Sequence, residues 1–176
     1  MRHIMKKIIQ QDNKILRAIA QEVPTKEIPS KKIQDILRDM AEALASQYDG
    51  VAIAAPQIAV LLRIFVMNPQ VYQTVKTEGP RPLVFINPRI IKMSRDRKAM
   101  SEGCLSVRPW YGKVKRASKA TVEAYNEAGE KFVLDGNGLL AQIFQHEIDH
   151  LDGVLFIDKA KDLKELPATE VGDVVK

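Results

Sequence analysis

The chain has 176 residues, 45% of them apolar and 28% charged, a size and balance that suit one soluble globular domain and exclude whole-chain disorder. A domain of this length buries about 70% of its unfolded surface and needs no disulfide; the lone Cys104 excludes an internal one and fits a reducing, cytoplasmic setting. The net charge of +5 leaves two readings of the basic clusters Arg95, Arg97, Lys98 and Lys113, Lys115, Arg116, Lys119: a solvated surface, or contact with a polyanion such as RNA. Neither interleaved RNP-like aromatics nor a zinc-knuckle spacing accompanies them, so specific DNA binding is not expected. The first 13 residues lack a signal-peptide apolar run, and no stretch approaches the roughly 20 apolar residues that span a bilayer.

In chain order, Asn13 opens a short helical segment over 13–21 with Ile15, Leu16 and Ile19 on one face, stopped by Pro24. Ser30 reads as the N-cap of an amphipathic helix carrying Ile33, Ile36, Leu37, Met40 and Leu44, closed by Gly50. Strands are predicted over 62–67, 83–87 and 89–92, then a hairpin whose arms surround 126–129. After Gly138 comes a second helix with Leu139, Leu140, Ile143, Phe144, Ile148 and Leu151. It is apolar over so much of its circumference that it belongs in the interior. Residues 1–160 are read as one catalytic domain, and the charged stretch 161–176 as a polar helix or frayed tail.

Inside the second helix lies His146-Glu147-Ile148-Asp149-His150. Imidazoles four residues apart project from one helical face and can hold one metal ion, with the intervening Glu placed as a base. A surface helix carrying these residues by accident is the bland alternative. A buried helix disfavours it, because buried polar groups need partners and a metal would satisfy both rings.

A catalytic site needs a third protein ligand and an open position. The metzincin arrangement would place a His where this chain has Phe156, which excludes it. Glu170 has the spacing of a thermolysin-like ligand, but Pro167 and Gly172 flank it in a polar tail. Cys104, in Glu102-Gly103-Cys104-Leu105-Ser106, offers a thiolate, and Gly103 lets the backbone approach an ion. A structural buried Cys and a Cys-His nucleophile are the competing readings. Ligation is favoured because the spare histidine, His3, sits at a terminus expected to be mobile.

Three segments in order resemble the signatures of the peptide deformylase family: Gly50-Val51-Ala52-Ile53-Ala54-Ala55-Pro56-Gln57, the Glu102 to Ser106 stretch, and Gln145-His146-Glu147-Ile148-Asp149-His150-Leu151-Asp152-Gly153. The resemblance covers about residues 5–160 and implies an α+β fold, antiparallel sheets packed around a central buried metal-binding helix. It implies removal of the formyl group from N-formylmethionine of new polypeptides, with one divalent ion, usually Fe(II) and otherwise Zn, Ni or Co. Cys104, His146 and His150 would hold the ion and Glu147 would carry the proton. Gln57 and the Leu105 N–H would face the oxyanion. Gly50, Val51, Ala52, Ile53 and Gly103 would bind the substrate, the backbone around Val51 to Ile53 pairing with the peptide as an added strand. Val51, Leu139 and Ile143 are candidates for the Met side-chain pocket, each equally well explained as core. Arg116 matches a family arginine only loosely and reads as a solvated charge. Ala52 stands where the family usually has Gly, so its methyl is expected to crowd the peptide or restrict the backbone. Nascent chains as substrates would bring the basic clusters or the tail to the ribosome.

Overall fold

The apolar run after Ser30 forms helix α1, Lys31–Ala45, in the computed structural model, which describes residues 5–75 and 81–165. The Ser30 hydroxyl accepts the Ile33 N–H, and Ile33, Leu37, Met40 and Leu44 are buried. The helix stops earlier than Gly50 because the Ser46 hydroxyl donates to the Ala43 carbonyl and draws it out of the ladder. The segment expected over 13–21 is shorter still. It is one 3-10 turn, Lys14–Arg17, after which Ala18 is extended and Gln21 bridges to Leu62.

The strands are β1 Ala52–Ala54, β2 Ile64–Met67, β3 Val84–Met93, β4 Arg97–Gly103, β5 Trp110–Ala117, β6 Lys119–Tyr125, β7 Lys131–Asn137 and β8 Lys161–Glu165. A short helix, α2 Val71–Thr74, follows β2, and α3 spans Leu139–Leu151. One antiparallel sheet has the order β1-β2-β3-β6-β7, and a second has β4-β5-β8. The two strands expected around Pro88 are one. Asn87, at φ +51, absorbs the irregularity and uses both ends of its amide on the Val23 backbone. The hairpin of β6 and β7 runs in unbroken register from Lys119↔Asn137 to Tyr125↔Lys131.

Strands β4 and β5 are absent from the expectations because their charges mask the alternation. Glu102 pairs with Gly112 and Met100 with Val114 on the inward face, while Lys113 and Lys115 point outward. Residues 161–165 are likewise neither helix nor frayed tail. They form β8, which pairs with β5 at Trp110↔Glu165, Tyr111↔Lys164 and Lys113↔Lys161. All five β8 residues are exposed, so backbone pairing rather than burial holds the strand, and composition alone cannot reveal that. Glu170, His3 and the remainder of the tail lie outside the described residues.

Helix α3 occupies the centre of this α+β arrangement, packed against β1, β5, β6 and β7. Leu140, Ala141, Phe144 and Leu151 are almost wholly buried along it. Its end is fixed by Gly153 at φ +73, where a Cβ would stand 2.6 Å from the Arg17 carbonyl oxygen. Among the described residues no helix is long and apolar enough to cross a membrane.

Candidate metal centre

Helix α3 turns His146, Glu147 and His150 toward the segment that leaves β4. There one ligand atom each of Cys104, His146 and His150 lies within 4.8 Å of the others. Cys104 Sγ is 3.1 Å from His150 Nε2 and accepts the Ser106 N–H at 3.4 Å. The approach depends on Gly103. A Cβ there would run into the Tyr111 ring, so the glycine lets Tyr111 pack against the turn that presents the thiol. One sulfur and two imidazole nitrogens, gathered in a half-buried to buried setting, form a donor set that fits a first-row divalent cation.

Behind the ligands is a charge network. His146 Nδ1 lies 3.0 Å from Glu102 Oε2, which leaves Nε2 as the ligating nitrogen. Arg116 grips Glu102 with two bonds of 2.7 and 2.8 Å and donates to Asp149 at 2.6 Å; Lys159 closes the chain on Asp149 at 2.7 Å. The expectation of a solvated Arg116 is corrected here. Its side chain is 4% exposed, because position 116 falls on the inward face of β5 and two carboxylates neutralise it there. Burial alone would raise the Glu102 pKa, but Arg116 and His146 together bring it down to about 2. Burial also opposes a charged His146, yet Cys104 and Glu102 lift its pKa well above the ordinary value, marking a spot that favours positive charge. Burial pushes the His150 pKa well down, giving the neutral ring a metal ligand requires.

Glu147 is different in kind. Burial, aided by the Glu102 charge, raises its pKa to about 7 against the pull of His146 and Arg116. Its buried Oε2 has no hydrogen-bond partner among the described residues. A carboxylate poised near neutral pH with a free oxygen suits proton transfer.

Glu102, Cys104, His146 and Glu147 open onto a cleft of about 650 Å³. Gly50, Val51, Ala52, Gln57, Gly103, Leu105, Leu139 and Ile143 all line it, so most of the residues singled out from the sequence meet there. Ile53 does not. Its side chain is fully buried on the opposite side of β1, in the cluster that includes Ile33, Met40 and Ile58. Its backbone nonetheless belongs to a strand that pairs, among the described strands, with β2 alone, leaving the other edge of β1 toward the cleft. Ala52 is in extended backbone rather than at positive φ, so its methyl does not strain the chain; it packs in the core beside the cleft. The Gln57 amide is oriented by its neighbours. Oε1 accepts the Ala54 N–H at 2.8 Å, and Nε2 donates to Ser106 Oγ at 3.1 Å and lies 3.6 Å from Cys104 Sγ. Gln10 donates to the Leu105 carbonyl at 3.1 Å, steadying the peptide that follows Cys104. Sequence reasoning missed Glu102 and Asp149 as partners of Arg116, and Lys159 as the second cation on Asp149. The available signal was that Glu102 and Asp149 both lie inside the motif segments.

The profile described as polypeptide deformylase matches residues 5–166. Peptide deformylase 2 of Clostridium acetobutylicum is 43% identical over 147 residues, 84% of this chain and 89% of that protein. Among solved structures, the peptide deformylase of Thermotoga maritima superposes with a TM-score of 0.78 at 32% identity, covering 90% of this chain and 99% of that one. A class I type b peptide deformylase of Acinetobacter baumannii with Met-Ala-Ser bound gives 0.79 at 31% identity, with the same coverage.

Proposed function

This chain belongs to the polypeptide deformylase family, whose members are metal-dependent hydrolases that remove the N-formyl group from nascent peptides, and we propose how its own residues divide that work. Cys104, His146 and His150 hold one divalent ion, with Fe(II) the native choice and Zn, Ni or Co able to replace it on the same mixed sulfur and nitrogen donors. Held by these three residues, such an ion would supply Lewis acidity, lowering the pKa of a bound water and polarising the formyl group. Glu147 takes the water proton and returns it to the departing amine, a role supported by its pKa of about 7 and its unpartnered oxygen. Gln57 Nε2 and the Leu105 N–H stabilise the oxyanion, and the Gln57 amide is already pinned at Oε1 for that task. Glu102 and Arg116 keep His146 in one tautomer and orientation.

The peptide adds as a strand along the free edge of β1, which gives affinity without reading sequence. The Met side chain enters between Val51, Leu139 and Ile143. A Met-Ala-Ser tripeptide bound to the Acinetobacter baumannii relative is the product such a reaction would leave. The catalytic unit runs through β8 rather than stopping at residue 160, because β8 completes the sheet that carries Glu102 and Arg116. Action on nascent chains supports a cytoplasmic location for the enzyme. The outward face of the second sheet, with Lys113, Lys115 and Lys161, is the surface we assign to the ribosome.

The observation that carries this reading is the meeting of Cys104 with the two helix imidazoles, beside an unpartnered Glu147. Incubation with formyl-Met-Ala-Ser under anaerobic conditions should release formate and leave both peptide bonds intact. Peptide-bond cleavage with the formyl group retained would replace this reading with that of a peptidase.

A further inference from the structure

Across the mouth of the cleft an ion pair joins the two walls. Asp49, just before β1, accepts a 2.5 Å bond from Nη2 of Arg108, which lies in the loop between Cys104 and β5. Both residues line the cleft. The pair is layered: the Asp49 side chain is 8% exposed, whereas that of Arg108 is 32% exposed and its guanidinium lies 5.9 Å from the Tyr48 ring centroid. A molecule passing the rim therefore meets the cation first and the carboxylate behind it. Asp49 also borders a smaller adjoining cavity of about 210 Å³ shared with Tyr48, Asn68 and Thr74, so space continues past the pair.

The direction of β1 says what passes there. The strand leads from Ala52 to Ala54, whose N–H is bound by the Gln57 side chain at the reacting end. A peptide whose formyl group lies at Gln57 must run back past Val51 and Gly50 toward Asp49. At about 3.3 Å per residue, the second and third residues after the formyl group reach the rim. We propose that Arg108 and Asp49 form a specificity-determining pair that reads the charge of the substrate residues following formyl-Met, with Arg108 favouring acidic side chains and Asp49 held in reserve behind it. This rests on the deformylase reading and on strand addition at β1. Asp49 engages one terminal nitrogen of Arg108, so a guanidinium with several further donors can take a second carboxylate. A lysine arriving at the same place meets like charge instead.

The test uses formyl-Met-Xaa-Xaa amides in which both Xaa are Glu, Ser or Lys, with formate release measured at low and raised salt. The parent should prefer Glu over Lys by about fivefold in kcat/KM, the scale of a partly exposed ion pair, and salt should move the ratio toward one. In Arg108→Gln the freed Asp49 should reverse the preference, and Asp49→Asn should enlarge it. The two variants are expected to move in opposite directions, so a folding failure in one leaves the other decisive. A Glu-to-Lys ratio that is the same in the parent and the soluble variant, even with all three rates lowered together, would show a loop brace and overturn the proposal. If the parent released formate from none of the peptides, the deformylase reading itself would fail and take this inference with it.

Discussion

The two walls of the cleft are built differently. The α3 wall is crowded with ionisable groups: His146, Glu147 and His150 in front, and Glu102, Arg116 and Asp149 joined by ion pairs behind. The β1 wall offers backbone, methyl groups and one oriented amide. The difference separates two tasks that a single cleft must perform. Chemistry requires fixed charges whose pKa values are set by neighbours, whereas holding many different nascent peptides relies mainly on main-chain contacts, with side-chain selection left to the Met pocket and the Arg108–Asp49 pair.

Removing a charge from the first wall should therefore cost most. Arg116→Met leaves Glu102 buried beside His146 without its bidentate cation and should lower folding stability by about 3–5 kcal/mol, measured by denaturant unfolding. A loss below about 1 kcal/mol would mean the network contributes little. Gln57→Ala tests the oriented amide of the second wall. It should lower kcat by about 10²–10³-fold with metal content unchanged, and a change confined to KM would move Gln57 from transition-state to ground-state binding. Leu139→Ala should reduce kcat/KM for formyl-Met peptides by about tenfold and narrow the preference over formyl-Ala peptides. Equal losses on both substrates would place Leu139 in the core alone.

The smallest effect is expected at Ala52→Gly, where the wall loses only a methyl. Ala52 adopts ordinary extended backbone, so of the two consequences expected from the sequence only crowding of the peptide survives. The substitution should raise kcat/KM a few-fold at most, while the added backbone freedom costs about 0.5–1 kcal/mol of stability. Unchanged catalytic efficiency would remove the methyl from any account of substrate binding.

The same contrast explains what could be read from the sequence. The α3 wall was legible because an i, i+4 pair of imidazoles on an apolar helix needs a metal or costs stability, and Cys104 followed once Phe156 closed the nearest alternative. Its supporting layer was not. Arg116 looks like any other member of a basic run until the β4–β5 register turns it inward onto Glu102. Strand β8 stayed hidden for a related reason, since five exposed residues held by main-chain pairing leave no apolar pattern. Ile53 shows how one residue divides between the two tasks: alternation along β1 sends its side chain to the core under α1 and leaves its backbone at the edge, where strand addition needs it.

Metal content and formate release from formyl-Met-Ala-Ser, measured anaerobically on the parent, Cys104→Ala and Glu147→Ala, test the division of roles within the α3 wall most directly. The parent should hold about one ion and release formate; Cys104→Ala should lose the ion; Glu147→Ala should keep it while turnover falls about 10²–10⁴-fold. Full metal content in Cys104→Ala, or parental turnover in Glu147→Ala, would contradict the account.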